Sequence, residues 1–593
     1  MNPHLPMTRE EMTARGWTEL DVLLITGDAY FDHPSHGAAV IGRVLEDAGY
    51  RVGIVARPDW RSTDDFTVMG RPALFAGVTA GAVDSLLNNF TADLSRRRND
   101  AYAPGNKGMG RPNMATLVYS NRVVEAFPGL PVIMGGIEAS TRRFAYWDYH
   151  KRAMRRSILV DARADLLVFG PGESQATEIA HRLASGGDLA GIPGTARLVN
   201  NSNPTPGQVD LVLPDFEDIV ADSRLLVNQA RSLERACVPG FRSRISQVYR
   251  EGTVICEAAA VQTTEDLDRI FALPFNREIH PLHDGPVKAL ETVRWSVISH
   301  RGCPGGCSFC AIGFHQGRDV VSRSPDSVLA EIEQLAGRPD FRGTISDVGG
   351  PTANAYGATR INRKTCDSCK RPSCFFPSIC KNIGTDHRAL TDLLESATKV
   401  PGVKRVLLAS GIRHDLALKD KSFIERVATR HTGGHLKVAP EHVSPGVLKL
   451  MRKPPIGSFE EFERIFVAAG KKSGLEQYLI PYMIAAFPGC ERADADRAGA
   501  WLEKRGQRLA QVQTYIPLPG TLAAAWHAAG FTEDGDPLYV ADLAERRRQK
   551  AILTGSRRRN SDRTPRTSRR TYRRRNKAGS ARDRTYRPPR RNR

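Results

Sequence analysis

The chain has 593 residues, of which 41% are apolar, and it carries a net charge of +20. This length predicts two or three domains with large cores. No stretch is apolar over the about eighteen residues that a membrane span needs, and the first residues lack the basic head and apolar run of a signal peptide. The sequence therefore predicts a globular cytoplasmic protein without membrane contact.

The first 290 residues alternate strand and helix patterns. Apolar runs at 21–27 and 51–57 flank a segment with helical spacing at 37–50, and four more strand-like runs follow: LFAGVTAG, TLVYS, PVIMGG and DLLVFG. This α/β alternation predicts a Rossmann-like, doubly wound parallel sheet over residues 1–290, together with a connecting segment. Several runs end in glycine, at the carboxyl edge where such sheets bind ligands.

Two familiar cofactors are not favoured for this sheet. The run FGPGESQA has Gln175 where a dinucleotide fingerprint needs its third glycine, which argues against NAD. The layout resembles the cobalamin-binding domains that precede many radical SAM barrels, but the DxHxxG motif is absent. Asp32, His33 and His36 come near that motif with the wrong spacing, and we expect the two histidines to be polar loop contacts.

From Glu291 the pattern restarts at the spacing of a TIM-type barrel. Six strands are predicted, which make a partial (βα)6 barrel over residues 291–535: VRWSVIS, GTISDVGG, KRVLLASGI, HLKVAP, QYLIPYMIAAF and LAQVQTYIP. Ser324, ahead of Pro325, is predicted to cap the helix that follows the first strand. Functional residues are then expected at the carboxyl ends of the strands.

Cys303, Cys307 and Cys310 form a CxxxCxxC spacing in SHRGCPGGCSFCAIG, directly after the first strand. A [4Fe–4S] cube held by three cysteines leaves one iron open for a small molecule, whereas zinc and electron-transfer clusters usually take four protein ligands. At this spacing the familiar chemistry is that of radical SAM enzymes, in which S-adenosylmethionine chelates the open iron. The alternative is a zinc loop with a distant fourth ligand.

Four further strand-end residues are candidate contacts for S-adenosylmethionine. Gly349 and Gly350 end the second strand, where backbone carbonyls without a neighbouring Cβ can accept hydrogen bonds from an ammonium group. Ser410 and Glu441 end the third and fourth strands, within expected reach of the methionyl carboxylate or the ribose hydroxyls.

A second cysteine group lies in an insertion at 360–385, on the same face of the predicted barrel. Its members form the spacing CxxCx4Cx5C: Cys366, Cys369, Cys374 and Cys380. Four thiolates can hold a structural zinc or an auxiliary iron–sulfur cluster, and the spacing does not separate the two. Free reduced thiols are the remaining alternative. Cys237, Cys256 and Cys490 are isolated and are expected to be buried.

The charge of the chain is concentrated at its end. Residues 551–593 contain sixteen Arg and one Lys against two Asp, which accounts for +15 of the +20. Residues 536–593 are therefore predicted to be a C-terminal extension with a disordered, Arg-rich tail. Such a tail is expected either to bind RNA through phosphate contacts or only to increase solubility. A basic run at Lys453, MRKPP, is a second candidate for steering RNA.

Several long phrases carry a family resemblance: LITGDAYFDHPSHGAAVIGRVLEDAGYRVGI, FAGVTAGAVDSLLNNFTAD, GGIEASTRRFAYWDYH, SHRGCPGGCSFCAIGFHQGR, DVGGPTANAYG and KVAPEHVSPGVLKLMRKP. Through them the chain resembles the YgiQ-type family of radical SAM proteins over residues 5–545. The resemblance implies a [4Fe–4S] cluster on Cys303, Cys307 and Cys310 with exchangeable S-adenosylmethionine. Reductive cleavage then needs an electron donor such as flavodoxin or ferredoxin.

The sequence leaves the substrate open. One class is RNA, and the other is a small metabolite or cofactor held between the N-terminal sheet and the barrel. A different hypothesis is a noncatalytic iron–sulfur protein that binds S-adenosylmethionine as a sensor, or an RNA-binding protein.

Overall fold

The computed structural model describes residues 4–200, 209–237 and 243–555. The strands of the first half are β1 Val22–Thr26, β2 Val52–Ala56, β3 Phe75–Thr79, β4 Val132–Gly135, β5 Tyr146–Asp148, β6 Ala153–Arg155, β7 Leu166–Val168, β8 Thr195–Val199, β9 Leu211–Val212, β10 Ile245–Tyr249 and β11 Gly252–Cys256. Its helices are α1 Arg9–Ala14, α2 Gly37–Asp47, α3 Asp64–Thr67, α4 Ser85–Asn89, α5 Ala115–Ala126, α6 Gly136–Thr141, α7 Ile158–Asp161, α8 Glu173–Ala184, α9 Phe216–Ala221, α10 Arg224–Ala236, α11 Thr264–Phe271 and α12 Lys288–Val293.

The strands of the second half are β12 Ser296–Ile298, β13 His300–Arg301, β14 Val321–Ser322, β15 Thr344–Ile345, β16 Asp347–Gly349, β17 Arg405–Val406, β18 His435–Glu441, β19 Tyr478–Ala485 and β20 Gln513–Thr514. Its helices are α13 Ile312–His315, α14 Pro325–Ala336, α15 Arg363–Asp367, α16 Arg388–Ala397, α17 His414–Ala417, α18 Lys421–Arg430, α19 Pro445–Met451, α20 Ile456–Lys472, α21 Arg492–Lys504, α22 Leu522–Ala529 and α23 Leu543–Leu553. Short 3₁₀ helices lie at Pro104–Asn106 and Ala353–Ala355.

The large N-terminal sheet has nine strands in the order β2-β1-β3-β4-β7-β8-β11-β10-β9. Neighbours from β2 to β7 run parallel, but β8 is antiparallel to both β7 and β11, and β10 is antiparallel to β11. The prediction of a parallel sheet is therefore wrong for this edge, and the sheet is mixed. For β10 and β11 the reason is local: only Arg250 and Glu251 join them, a connection too short for a parallel crossover. The antiparallel pairing of β8 has no such local cause.

Both faces of the parallel part of the sheet are covered by helices. Along β1, Leu24 belongs to the core that includes α2 and α8, whereas Leu23 and Ile25 belong to the core that includes α5. Successive strand residues point to opposite faces, so a strand buried on both sides is apolar throughout. This explains the unbroken apolar run that the sequence shows there.

Residues 296–514 contain a second set of parallel strands. The parallel pairs are β12 with β16, β15 with β17, β18 with β19, and β19 with β20, and an isolated parallel bridge joins Ile412 to Val438. The strands therefore follow one another in chain order. Each of the six segments that the sequence predicts as a barrel strand overlaps at least one observed strand.

The helix between the first two of these segments begins as the sequence predicts. The Ser324 hydroxyl accepts a hydrogen bond from the Ser327 amide, and Pro325 occupies the first helical position of α14. The buried face carries Val328, Ile332 and Leu335. A capped start and an apolar stripe thus set both the beginning and the orientation of α14.

A buried charge triad connects the segment before β12 to α14. The Glu331 carboxylate receives hydrogen bonds from both Arg277 and Arg323, and all three side chains are buried. The two guanidinium groups also donate to backbone carbonyls of Ser296 and Ile298, at 3.0 and 2.9 Å. One carboxylate therefore holds the two cations that position β12.

Two further ion pairs join the N-terminal half to the second half. Arg301 lies 2.7 Å from Glu173, and Arg452 lies 2.8 Å from Glu234. Arg301 belongs to β13 and Glu173 begins α8, so the start of α8 is fixed against the segment that leads into the cysteine loop.

Among the helices that the structure describes, none combines the length and apolarity needed to cross a membrane. The Arg-rich segment from 556 to 593, on which the prediction of a disordered, RNA-binding tail falls, lies outside the described residues.

The Glu331 triad gives a prediction for stability. Replacing Glu331 by Ala leaves two buried guanidinium groups without their shared carboxylate, so we expect the free energy of unfolding to fall by about 3–5 kcal/mol. Urea or thermal unfolding of the purified variant measures this. Glu333→Ala, an exposed change on the same helix, should shift stability by less than about 0.5 kcal/mol. Equal effects of the two changes would contradict the role given to the triad.

Candidate metal and cofactor site

The three-cysteine loop lies between β13 and α13. The Cys303 amide donates to the Gly317 carbonyl at 3.2 Å, and the Cys310 amide donates to the Cys307 carbonyl at 3.1 Å. A Cβ added to Gly305 would lie 3.3 Å from Cys303 Sγ and 3.9 Å from Cys307 Sγ. Two of the three sulfurs therefore stand on the same side of a loop that has no room for a larger residue at 305.

Burial changes the chemistry of these thiols. It raises the pKa of the Cys303 thiol and raises that of Cys310 to about 12. Metal ligation needs the thiolate, so binding a metal here must displace protons.

The glycine pair at the end of β16 is enclosed. A Cβ on Gly350 would lie 2.6 Å from the imidazole of His300, and one on Gly349 would overlap the Ser410 hydroxyl. The Ser410 amide is held by the Asp347 carboxylate at 3.2 Å. The structure thus brings together Gly349, Gly350 and Ser410, as the sequence analysis predicted for a common site.

Glu441 ends β18 with a left-handed backbone, at φ +70°, which is strained for a residue with a Cβ. Its side chain is buried, with Lys453 Nζ 3.5 Å from Oε1. Burial raises the pKa of the Glu441 carboxyl, and Lys453 opposes that rise. Burial is the main cause of the raised pKa of the Cys310 thiol, and the Glu441 carboxylate adds a smaller rise. The residue before Lys453, Arg452, donates to the Gly306 carbonyl at 3.3 Å, so consecutive residues contact Glu441 and the cysteine loop.

The sequence analysis missed Arg413. Its Nη1 donates to Cys307 Sγ at 3.8 Å, and its Nη2 lies 2.6 Å from the Asp415 carboxylate. Burial acts to raise the pKa of Asp415, but Arg413 lowers it to about 2. The guanidinium also stacks on Phe375, with its carbon 4.8 Å from the ring centre. The only sequence signal was its position just after a strand end, in LLASGIR.

The second cysteine group lies directly beside the first loop. The Cys374 amide donates to the Pro304 carbonyl at 3.0 Å. Burial raises the pKa of the Cys374 thiol, and the other three thiols of the group, those of Cys380, Cys369 and Cys366, raise it further. The insertion therefore gathers its four sulfurs in one neighbourhood.

The basic run MRKPP is not a surface patch. Arg452 and Lys453 are both 7% exposed, and each is engaged by a carboxylate, Glu234 and Glu441 respectively. The prediction that this run steers RNA is therefore wrong, because its charges are already used inside the protein.

The remaining predicted positions are structural. Cys256 and Cys490 are buried, as expected, whereas Cys237 is half-buried. Asp32 pairs with Arg43 at 2.5 Å, and His33 Nδ1 contacts the Ser35 hydroxyl at 2.7 Å. His33 thus makes the polar loop contact that was expected. The same expectation is wrong for His36: among the described residues neither of its ring nitrogens has a hydrogen-bond partner, and its ring stacks on Phe31.

A cavity of about 460 Å³ lies between the carboxyl edge of the N-terminal sheet and the second half of the chain. Strand ends and helix starts of the first half line one side, including Thr79, Gly135, Gly136, Gly170 and Gly172. The second half contributes Ile298, Arg301, Ile312, His315 and Gln316. Three of these follow Cys310 by two to six positions, so the cavity adjoins the cysteine loop.

Few polar groups face this cavity, and most of them are paired. Arg301 is bound to Glu173, and His315 Nδ1 is hydrogen bonded with the Ser140 hydroxyl at 3.0 Å. Burial lowers the pKa of His315 to about 4, so its imidazole is neutral at pH 7. The cavity therefore suits an uncharged or largely apolar molecule.

The residues present fit a [4Fe–4S] cluster that binds S-adenosylmethionine. The donor set is three thiols, and the glycine pair forms a cradle that any Cβ would fill. Within the described part of the chain, Glu441 Oε2 and His300 Nε2 are buried without a hydrogen-bond partner, so polar groups of a ligand would satisfy them.

Two family models match the chain. One, described as Radical SAM N-terminal, covers residues 4–296, and one described as Radical SAM superfamily covers 297–489. The UPF0313 protein YgiQ of Escherichia coli K12 is 42% identical over 576 residues, covering 87% of this chain and 78% of that protein. A UPF0313 protein of Geobacter sulfurreducens is 43% identical over 555 residues, covering 93% and 92%.

One solved structure has a related fold. It is the radical S-adenosylmethionine methyltransferase TsrM from Kitasatospora setae, with cobalamin and a [4Fe–4S] cluster bound. The TM-score is 0.51 and the identity 16%, with 90% of each chain covered. At this identity the likeness concerns the fold alone.

The glycine cradle gives a second prediction. Replacing Gly350 by Ala places a methyl group against the His300 ring, so we expect the affinity for S-adenosylmethionine to fall at least about tenfold. Equilibrium dialysis with the reconstituted protein measures it. Gly446→Ala, where nothing lies within 4 Å of the added methyl, is the matched control. Unchanged affinity in the Gly350 variant would show that Gly349 and Gly350 do not form part of the binding site for S-adenosylmethionine.

Proposed function

This chain belongs to the YgiQ-type UPF0313 family of radical SAM enzymes, and on that premise we propose that Cys303, Cys307 and Cys310 hold a [4Fe–4S] cluster that binds S-adenosylmethionine. When bound, the cluster supplies one electron for reductive cleavage to methionine and a 5′-deoxyadenosyl radical. The observation that carries the proposal is that the three cysteines share one loop directly after a strand, where Arg413, just after another strand end, donates to Cys307 Sγ.

Each neighbouring residue has a role within this proposal. Gly349 and Gly350 would leave room for the methionyl amine beside backbone carbonyls, and Ser410, whose hydroxyl lies beside Gly349, would contact the methionyl group. Glu441 has an unpaired carboxylate oxygen that can accept from the ribose hydroxyls. Arg413 places a positive charge beside Cys307 Sγ, where it would offset part of the negative charge of a thiolate-bound cluster.

The proposed architecture has three parts. Residues 1–290 form the Rossmann-like domain, residues 291–535 form a partial six-stranded barrel, and residues 536–593 form the extension. The parallel pairing of β12 to β20 in chain order supports the barrel. Its apolar surroundings would shield a radical from water.

We infer that the substrate or a second cofactor is a small, largely apolar molecule in the cavity beside α13. The support is the volume of about 460 Å³, within the range of small-molecule sites, and its contact with the residues after Cys310. RNA has weaker support, because Arg452 and Lys453 are buried. Cobalamin is bound by the TsrM structure, but the proposal for this chain does not depend on it.

Exchanging the three cysteines tests the cluster. Replacing Cys303, Cys307 or Cys310 by Ala should remove roughly four iron atoms per chain and abolish formation of 5′-deoxyadenosine, because two thiolates cannot retain the cube. Iron analysis and chromatography of the anaerobic reaction measure these. Cys256→Ala, a buried cysteine in β11, should change neither. Undiminished cleavage in any of the three variants would refute the assignment, and a wild-type protein that binds but never cleaves S-adenosylmethionine would favour a sensor.

Filling the cavity tests the substrate class. Ala38 lines the cavity from α2, and its exchange for Phe should abolish stimulation of 5′-deoxyadenosine formation by the low-molecular-mass fraction of a bacterial extract. Iron content and unstimulated cleavage should remain, since Ala38 belongs to α2 of the N-terminal half and not to the cysteine loop. Ala48→Phe, at the exposed end of the same helix, is the control. Stimulation by total RNA, unaffected by Ala38→Phe, would favour the other substrate class.

A further inference from the structure

Three of the four cysteine sulfurs of the insertion accept hydrogen bonds from nearby amide groups. The Arg371 amide donates to Cys369 Sγ at 3.4 Å, and the Asn382 amide donates to Cys380 Sγ at 3.4 Å. In both cases the donor is two residues after the cysteine. Amide hydrogen bonds of this kind stabilise negative charge on sulfur, which is the state that binds metal.

Asn382 also ties the two ends of the insertion together. Its side-chain nitrogen donates to Cys366 Sγ at 3.0 Å while its backbone amide serves Cys380. Cys374 and Cys380 pack against a small core of Phe375, Ile383 and Leu416. The four cysteines are therefore held in a segment that packs against the rest of the protein.

Four thiolates can hold either a single zinc ion or a [4Fe–4S] cluster. A tetrahedral zinc binds four sulfurs about 2.3 Å from one ion, whereas a [4Fe–4S] cluster binds each cysteine through a different iron. The position of the insertion against the loop of Cys303, Cys307 and Cys310 favours the iron–sulfur cluster, because zinc has no redox chemistry and could not use that position to exchange electrons.

The insertion rests on the loop of the first cluster. The Cys374 amide donates to the Pro304 carbonyl at 3.0 Å, and the Ser373 hydroxyl donates to the Gly305 carbonyl. Both acceptors lie inside the Cys303–Cys307 segment. A cluster on the insertion would therefore be the immediate neighbour of the cluster on that segment.

The outer side of the insertion is exposed and positively charged. Residues 363–381 contain five basic residues and one acidic residue, Asp367. Four of the basic side chains are exposed: Arg363, Lys364, Lys370 and Lys381. A surface of this sign attracts acidic proteins and accelerates their association.

We propose that Cys366, Cys369, Cys374 and Cys380 hold a second [4Fe–4S] cluster that receives electrons from an acidic one-electron carrier of the flavodoxin or ferredoxin class. The carrier is oxidised by one electron and the second cluster goes from the 2+ to the 1+ state. The same electron then reduces the cluster at Cys303, Cys307 and Cys310, and the second cluster returns to 2+. No proton is transferred, and no covalent bond forms or breaks. This step rests on the proposed function, whereas the existence of the second cluster does not.

Metal analysis tests the second cluster. The reconstituted wild type should contain roughly eight iron atoms per chain and no zinc, and exchange of all four insertion cysteines for Ser should leave roughly four. The protein with Cys303, Cys307 and Cys310 all exchanged for Ala should also keep roughly four, with the EPR signal of a reduced cluster. This second variant separates loss of the metal from failure to fold. Zinc in the wild type, or four iron atoms that the insertion exchanges leave unchanged, would overturn the proposal.

Charge reversal tests the carrier. In the triple variant Lys364→Glu, Lys370→Glu and Lys381→Glu, reduction of the clusters by reduced flavodoxin, followed at ~400 nm, should slow about tenfold at low salt, and the difference should shrink as salt rises. Reduction by dithionite, a small reductant, should be unchanged. The control reverses three exposed lysines elsewhere, Lys419, Lys471 and Lys472. Equal rates of flavodoxin reduction in the two triple variants would refute the docking surface.

Discussion

The structure depends on carboxylates that neutralise buried and half-buried guanidinium groups where the two halves of the chain meet. Glu331 holds Arg277 and Arg323, Glu173 holds Arg301, and Glu234 holds Arg452. A buried charge without its partner costs several kcal/mol, so each pair tolerates one relative position of the elements that carry it. The cysteine loop begins two residues after Arg301 and contacts Arg452 through the Gly306 carbonyl, and its position follows from these pairs.

Strain and close approach are concentrated around the same loop. Glu441 has a left-handed backbone at the end of β18, and Gly306, at φ +57°, faces the Pro372 carbonyl where a Cβ would clash. Such conformations persist only where surrounding contacts enforce them, and they are commonest where a ligand must be held. Glu441 ends a strand, Gly306 lies in the cysteine loop and Pro372 lies in the insertion. Because these positions come from separate segments, their agreement on one location is stronger support for a binding site than any one of them.

Much of the fold could be predicted from local patterns. The six strand segments of the second half, the Ser324 cap and the two-sided burial of β1 all follow from periodicity over a few residues. The mixed edge of the N-terminal sheet could not be predicted in this way, because β8 and β11 pair across more than fifty residues, and strand direction is not visible in hydrophobicity.

The residues of the candidate site also fall into two groups, those that local sequence patterns predict and those that only the folded structure shows. The cysteines and the glycine pair can be recognised as candidate site residues from their spacing in the sequence. Arg413 and Lys453 cannot, because in the sequence they resemble any surface cation. Their roles come from burial beside Cys307 and Glu441, which only the folded chain produces. The same reason explains the error over MRKPP: a run of cations indicates a surface patch only if no carboxylate reaches it.

The two ends of the cysteine loop face different parts of the protein. Pro304 and Gly305, near its start, contact the insertion, while Ile312 and His315, just after its end, line the cavity. Reductive radical chemistry needs an electron from outside and a substrate held away from water, and these demands conflict at a single opening. An exposed, basic insertion at one end of the loop and an apolar cavity at the other would let electrons and substrate reach a cluster held by the loop without sharing a path.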